Sequence, residues 1–566
     1  MRFRFPAMKR SLPICSLLLC GSPLLAAGDD TCSQVNTPAT SGYDFTESLS
    51  RWGSKGDYSV ATTPHRVRSL TINTLPIFNV DNPDENRRLF RLANNLHFTT
   101  KQQVISQQLL FSSEEIVTEQ QLAESERILR SRPYVGDARI RVLRDCNDAV
   151  DLEVVTHEVW TLTPDFNFKN LGGHATLGLG IHDANFLGSG QLIDLHYRSN
   201  QERSSVGMSY RNPKISGSHL QFATDLSTNS DGHRYGFDTG RPFYSMRDHN
   251  AWNLHYESVE ELLNQYNYGE RISHLQHKGQ TAAVTYSVAP DTSAYSIQRF
   301  SAGLEAEDHT LVAAPGLTVP SGFRDNLQLI YPFVQYELLQ DAYERGFNIS
   351  QIGRTEDLYV GRRLVASAGF APGSEQQWIL RGEYSDTLYR QPKALLQLHA
   401  DWQGRWLQQQ GAWEDAVMHA SLDYSRGQSA NRNLYLGLEA AHVINLRNGR
   451  QLELGGSNGL RGYDTHFLNG DSSVRFTAEQ RYFSNYHWLQ LFRVGVAAYY
   501  DVGRVFGNND PGSQSTFQDI GVSLRLAPSR SQSGQIIHLD VAWPLDSVLP
   551  GGKQDLQFIA EVKKNF

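Results

Sequence analysis

The sequence predicts a mostly β protein: a transmembrane antiparallel β-barrel of about 16 strands, preceded by a small α+β domain. Three observations carry this. From residue 161 to 566, apolar and polar residues alternate in run after run, with no amphipathic helix between them. Residues 67–160 mix strand and helix periods, and the chain opens with an export leader.

The leader is read first. Arg2, Arg4, Lys9 and Arg10 precede an apolar run from Ser11 to Ala27 that ends in small residues, Ala26-Ala27-Gly28. A basic start, a short apolar centre and small residues at its end make a secretory signal peptide, 1–27. The run is too short for a membrane anchor and is interrupted by Pro13 and Pro23. The formal charge is −8, and losing the leader's four cations makes the remainder more acidic still. That balance excludes nucleic acid as an expected partner. Mean hydropathy is −0.44, a value a barrel also gives, because its apolar residues occupy only every second position.

Residues 28–66 are rich in Thr, Ser, Gly and Asp, have no period, and read as an N-terminal tail. The α+β domain follows, 67–160. Val67 to Ile72 alternates and predicts a strand. Pro83 to Leu96 predicts a helix, with Leu89, Leu92 and Leu96 at helical spacing behind Asp81 and Asn82 as caps. Lys101 to Phe111 predicts a second helix. Thr118 with Gln121 three residues on makes a capping box for a third, running to about Ser131. Tyr134 to Leu143 and Val150 to Trp160 close the domain as strands around a turn at Asp145-Cys146-Asn147-Asp148. Cys32 and Cys146 are the cysteines beyond the leader. In an oxidising compartment they invite a disulfide tying the tail to the domain; two unrelated thiols is the alternative.

In 161–566, Ile193, Leu195 and Tyr197 oppose Asp194, His196 and Arg198, and Leu396, Leu398, Ala400 and Trp402 oppose Gln397, His399 and Asp401. Ile520, Val522, Leu524 and Leu526 oppose Asp519, Gly521, Ser523 and Arg525, and Leu539, Val541 and Trp543 oppose His538 and Asp540. A repeat of roughly 25 residues per strand and connection gives the count of about 16. Ala306 to Asn326, with two prolines and two glycines, predicts an external loop.

Gly455 to Gly503 is the densest stretch. A glycine-rich loop carries Leu460, Arg461, Gly462 and Tyr463, and two long alternating strands follow. Glu479 and Arg481 share the ionisable face of the first. Tyr499, Asp501 and Gly503 share the small or polar face of the second, opposite an aliphatic one. A period of two sends these faces to a wet lumen and the aliphatics to lipid.

Several segments resemble known families. The domain at 67–160, above all Thr118 to Arg130 followed by Tyr134, resembles a polypeptide-transport-associated (POTRA) domain, a periplasmic module that pairs extended polypeptide along its sheet edge; a structural plug or spacer is the alternative. Asn185, Phe186, Leu187, Gly188 and Gly190 resemble the Asn-Phe-Leu-Gly-x-Gly turn after the first barrel strand of BamA/TamA-type outer-membrane assembly factors (the bacterial surface antigen family). Leu460-Arg461-Gly462-Tyr463 resembles their Val-Arg-Gly-Phe/Tyr motif, with Leu in place of Val. Glu479-x-Arg481 and Tyr499-x-Asp501-x-Gly503 resemble the motifs on their next two strands. The alternating end, with Phe558, Val562 and the final Phe566 on one face, resembles a C-terminal signal for barrel assembly, broken by Lys564.

The resemblance implies an outer-membrane barrel with the first domain in the periplasm. Its partners are then outer-membrane lipid, an unfolded polypeptide client and other assembly-machinery components, without cofactor or metal. It also implies that the Arg461 loop folds into the lumen and meets a carboxylate, Arg461 with Asp501, or Glu479 with either arginine. A two-partner secretion transporter and a passive porin are the alternatives.

Two other signals carry little. Gly455-Gly456-Ser457-Asn458-Gly459 fits the serine-hydrolase elbow but leads to a loop and a strand where that elbow needs a helix. No histidine pair has metal-ligand spacing; His157-Glu158 ends a strand. The chain reads as a non-enzyme.

Overall fold

The computed structural model describes residues 32–45, 65–146, 148–171, 174–292, 295–313, 326–373, 375–391, 393–447, 450–507, 515–531, 534–546 and 555–563. The leader and Phe566 lie outside them.

The N-terminal unit contains β1 (Ser33–Gln34), β2 (His65–Leu75), α1 (Arg88–Leu96), α2 (Gln102–Ser106), β3 (Ile116–Val117), α3 (Glu119–Arg130), β4 (Val135–Asp145) and β5 (Ala149–Glu158). Its sheet runs β1-β4-β5-β2-β3, with β2 and β5 parallel and the other neighbours antiparallel. Val67, Ile105, Leu122, Leu129, Ile140 and Leu152 form the core between the helices and one sheet face. Thr118 caps α3 as the sequence requires: its hydroxyl accepts the Gln121 N–H at 3.3 Å, and the Gln121 side-chain Oε1 accepts the Thr118 N–H at 3.0 Å.

The tail covers the other face. Cys32 and Cys146 are joined in a disulfide. Glu153 accepts the Ala39 N–H at 3.0 Å, and Arg141 donates to the Thr37 carbonyl at 3.1 Å. β5 is therefore buried on both sides although its sequence alternates.

Two helices are shorter than their apolar periods suggest. α1 starts at Arg88 because Asn82 and Asn79 turn the preceding chain, and the Glu85 carboxylate accepts the Asn79 N–H. Asp81 and Asn82 are not its caps; Arg87 stands there and makes no side-chain cap bond. α2 ends at Ser106, where Gln108 and Leu109 continue in tighter turns.

The barrel begins at β6 (Leu162–Leu171) and β7 (His174–Asp183) and ends with the Gln557–Lys563 strand. Among the described residues sequential antiparallel pairing closes it with twenty strands, more than the expected count of about 16. The excess arises because many connections are only two residues long, as at Tyr268–Gly269 and Ala430–Asn431, which shortens the repeat. Ala306 to Ala313 also extends the Ser296–Ala313 strand and is not loop; 314–325 lie outside the described residues. An even count returns the chain to the face where it entered, so the N-terminal unit and the last strand share one face, called near below.

Neighbouring residues point opposite ways. Leu195, Leu304, Leu524 and Leu539 face outward, while Asp194, Glu305, Arg525 and Asp540 beside them are buried inside. The outer surface is an apolar band and the barrel spans a membrane.

Two hairpins stand apart from the wall. One, Tyr343–Phe347 with Thr355–Tyr359, lies in a long near-face connection. The other, Leu452–Leu454 with Leu468–Gly470, frames the arginine loop from the far face.

Candidate functional site

The arginine loop enters the lumen from the far face and is held on two walls. On one, Leu460, Tyr463 and Phe467 pack with Leu454, Val505 and Phe517. The Tyr463 hydroxyl donates to the Gln518 carbonyl at 2.8 Å and also bonds Asp546. On the other, His466 stacks on Tyr266 at 4.0 Å, and its carbonyl accepts the Gly269 N–H at 3.0 Å. Close approach needs the small residues. A Cβ at Gly462 would lie 2.6 Å from that of Asp519, and one at Gly503 would lie 2.8 Å from Leu454 and 3.3 Å from Leu460.

This seating aims Arg461 at the lumen wall. Its Nε and Nη2 donate to the two Asp501 oxygens at 2.7 and 3.0 Å, the bidentate geometry that suits guanidinium and carboxylate. Its Nη1 donates to Glu479 at 3.3 Å and lies 3.9 Å from Asp540. The guanidinium also stacks on Tyr499, 3.3 Å from the ring centre. Glu479 accepts from Arg481 at 2.7 Å and from Arg525 at 3.4 Å, and Arg525 pairs with Asp540. The sequence left open whether Arg461 meets Asp501 or Glu479; the structure places it against both. Glu479, Arg481, Tyr499, Asp501 and Gly503 all face inward on Ser472–Trp488 and Phe492–Phe506. Gly455 to Gly459 is a short turn at the base of the loop, where Leu460 donates back to the Gly455 carbonyl at 3.0 Å.

Sequence reasoning did not attach Asp519, Arg525 and Asp540 to the loop, although all three lie on the polar parity of their strands. It also missed a second lumen segment. Between the Asn326–Gln340 and Arg363–Ala371 strands, residues 341–362 fold across the near mouth. Ile352 seats among Phe483, Ala497, Ala527 and Ile536, and the Ile349 carbonyl accepts from Arg481 at 3.2 Å. Arg481 thus touches both segments, through Glu479 on one side and Ile349 on the other. Between them remains a cavity of about 480 Å³ lined by Arg461, Glu479, Arg481, Tyr435, Ile349 and Leu358 among others. The only sequence signals for this segment are the length of the connection and its charge.

That hairpin also ties the lumen to the N-terminal unit. Arg130 of α3 donates to both Asp357 oxygens at 2.7 Å, and Glu126 accepts from Arg130 and from Arg345. Arg127 pairs with Asp341 at 3.1 Å. Burial is offset here by the Arg130 charge, which holds the Asp357 carboxyl below its usual range.

The Asn185–Gly190 turn lies elsewhere than expected. It follows β7, the second barrel strand, because 162–171 already forms a strand of its own. Its role in the structure is docking: Asn185 donates to the Thr100 hydroxyl at 2.9 Å, and the Gly188 carbonyl accepts the Lys101 N–H at 3.1 Å. Gly188 and Gly190 have φ of +70° and +73°, and a Cβ at Gly188 would lie 2.4 Å from the Thr99 carbonyl oxygen. Phe186 and Leu187 stay exposed at the rim. At the C-terminus, Phe558 and Val562 point outward from the barrel.

No protein-family model matches the chain, and no curated protein does. Among solved structures it is similar to BamA from Haemophilus ducreyi lacking POTRA domains 1-3, with 11% identity and a TM-score of 0.36 over 88% of this chain and 84% of that one. It is similar to CdiB from Acinetobacter baumannii (13%, TM-score 0.41, 88% and 74%) and to CdiB from Escherichia coli (14%, TM-score 0.43, 88% and 76%).

Proposed function

We propose that this chain is an outer-membrane protein that inserts or translocates polypeptide clients, using its N-terminal unit as a POTRA-like periplasmic module to capture them. One observation supports this above the others: segments enter the lumen from both faces, while among the described residues the pairing that closes the wall is short. Arg461 and the 341–362 hairpin occupy the lumen from both faces. Among the described residues the last strand is laddered to β6 at one pairing, Ala560 with Asn170, whereas its other neighbour pairs from Ile536–Lys563 to Ala542–Gln557. A passive porin needs the opposite arrangement, an open lumen and a continuous wall. A thin seam is a place where a client strand adds to an exposed edge.

Capture is assigned to β2. On β4, β1 pairs Arg144 and Asp145, and further along the Asn36, Arg130 and Arg354 side chains donate to the Val142, Ala138 and Gly136 carbonyls. β3 pairs only with His65 and Arg66, so from Ser69 to Leu75 the outer edge of β2 has no strand partner among the described residues. Backbone groups there accept an extended chain with little demand on its sequence.

Depletion of the protein, followed by proteomics of the outer membrane and the secreted fraction, tests the function. Selective loss of one or a few clients is expected. Ion conductance lost with no client affected would leave the porin reading.

A further inference from the structure

α1 carries an apolar face that the fold does not cover. Phe90 stacks on Phe78 with ring centres 4.1 Å apart and seats the helix. On its outer side Leu89, Leu92, Leu96 and the following Phe98 are 51–67% exposed. The leucines recur at i, i+3 and i+7, so they form one stripe. Arg88 lies on the flank of that stripe and Arg91 further round the helix, with Arg87 at the helix start; all three are exposed, Arg87 over the Phe90 ring and Arg91 bonded to Asn86.

The stripe runs into the membrane-facing side of the barrel. Leu89, Leu92 and Leu96 share a groove of about 370 Å³ with Trp160 and with Leu491, Phe492 and Pro528 at the near-face ends of two barrel strands. Phe492 lies on the outward parity of its strand and packs against Trp488, the rings tilted with centres 5.6 Å apart. Tyr486, Trp488 and Leu489 beside it are exposed. An aromatic and leucine belt at the end of membrane strands marks the level of the lipid headgroups. The α1 stripe therefore continues an established lipid-facing surface, and the arginines stand where anionic headgroups would be.

We propose that α1 is a membrane-surface anchor: its leucine stripe enters the near-face leaflet, phospholipid acyl chains fill the groove against Trp160 and Phe492, and Arg87, Arg88 and Arg91 bind headgroup phosphates. An amphipathic helix with arginines beside an apolar face binds lipid in this way. The anchor fixes the N-terminal unit to the bilayer at one end, while Arg130 and Asp357 fix it to the lumen hairpin at the other. It rests on the membrane-spanning barrel and not on the proposed client function.

The test uses the chain without its leader, and so without Cys15 and Cys20, in vesicles of phosphatidylethanolamine and phosphatidylglycerol. Leu92→Cys is labelled with an environment-sensitive fluorophore, Cys32 and Cys146 being already paired. Expected are blue-shifted emission, strong quenching by headgroup-proximal doxyl lipid and little quenching by aqueous iodide, with or without added unfolded polypeptide. Adding Leu89→Glu and Leu96→Glu, both at exposed positions, is expected to cut the doxyl quenching several-fold while the barrel stays folded. A label quenched by iodide and untouched by doxyl lipid overturns the proposal. Protection that appears only with added polypeptide also overturns it and assigns the face to a client.

Discussion

Replacing Arg461 with alanine perturbs a buried side chain bonded to two carboxylates of the lumen wall. The substitution removes two hydrogen bonds to Asp501, one to Glu479 and the stack on Tyr499. Four buried carboxylates, Glu479, Asp501, Asp519 and Asp540, then face two guanidiniums, Arg481 and Arg525, in place of three. Removing one partner of a buried ion pair costs about 3–5 kcal/mol. The lost stack adds ~1–2 kcal/mol. Water entering from the 480 Å³ cavity recovers part of this by solvating Asp501. A net loss of roughly 3 kcal/mol shifts the balance between seated and released loop about a hundredfold. Barrel pairing is backbone-made and survives, so heat-modifiable migration of the folded barrel is unchanged. Amide exchange over residues 455–470 rises, single-channel conductance in planar bilayers increases, and delivery of client falls. Arg461→Lys keeps the charge but not the bidentate contact and gives an intermediate result. Unchanged exchange and conductance in Arg461→Ala would show that the loop is held by its apolar contacts alone, and would refute the role given to Arg461.

Three further outcomes follow from the same geometry. Gly503→Val places side-chain atoms against Leu454 and Leu460; overpacking costs ~1–3 kcal/mol, and the 455–470 exchange rises with Arg461 still present. Arg130→Ala removes both bonds to Asp357, a loss of roughly 3 kcal/mol at a mostly buried site; amide exchange of 341–362 increases while that of the arginine loop does not. His157 is held down to about 4 by burial and then by the Arg530 charge, from an ordinary 6.5. The folded unit therefore binds fewer protons than the unfolded one across that window and loses stability as pH falls through it, by at most about 3 kcal/mol. Exchange of β4 and β5 at about pH 4.5 against pH 7 reads the effect, and His157→Gln flattens it.

Much of this was legible in the sequence for one physical reason: a strand has a period of exactly two. Alternation alone placed Glu479, Arg481, Tyr499 and Asp501 on the lumen side, and the spacing of Thr118 and Gln121 marked the start of α3. The strand count was less legible, because two-residue turns leave no composition signal long enough to separate neighbouring strands. The leucine spacing of α1 marks a helix with an apolar face, yet Phe90 is the buried residue; periodicity shows that a face is apolar, not what covers it. The 341–362 segment has no period that distinguishes a lumen hairpin from a surface loop. Asp519, Arg525 and Asp540 were visible as polar-face residues, but only closure of the barrel brings them beside Arg461.

The seam is the most direct point of test. Asn170 and Ala560 are paired across it, so Asn170→Cys with Ala560→Cys allows the wall to be locked by oxidation in the assembled protein. The parent chain carried through the same oxidation and reduction controls for the Cys32–Cys146 bond. The predicted result is a folded barrel with unchanged conductance whose client delivery stops when the seam is oxidised and returns on reduction. Full client delivery through a quantitatively locked seam would contradict the account.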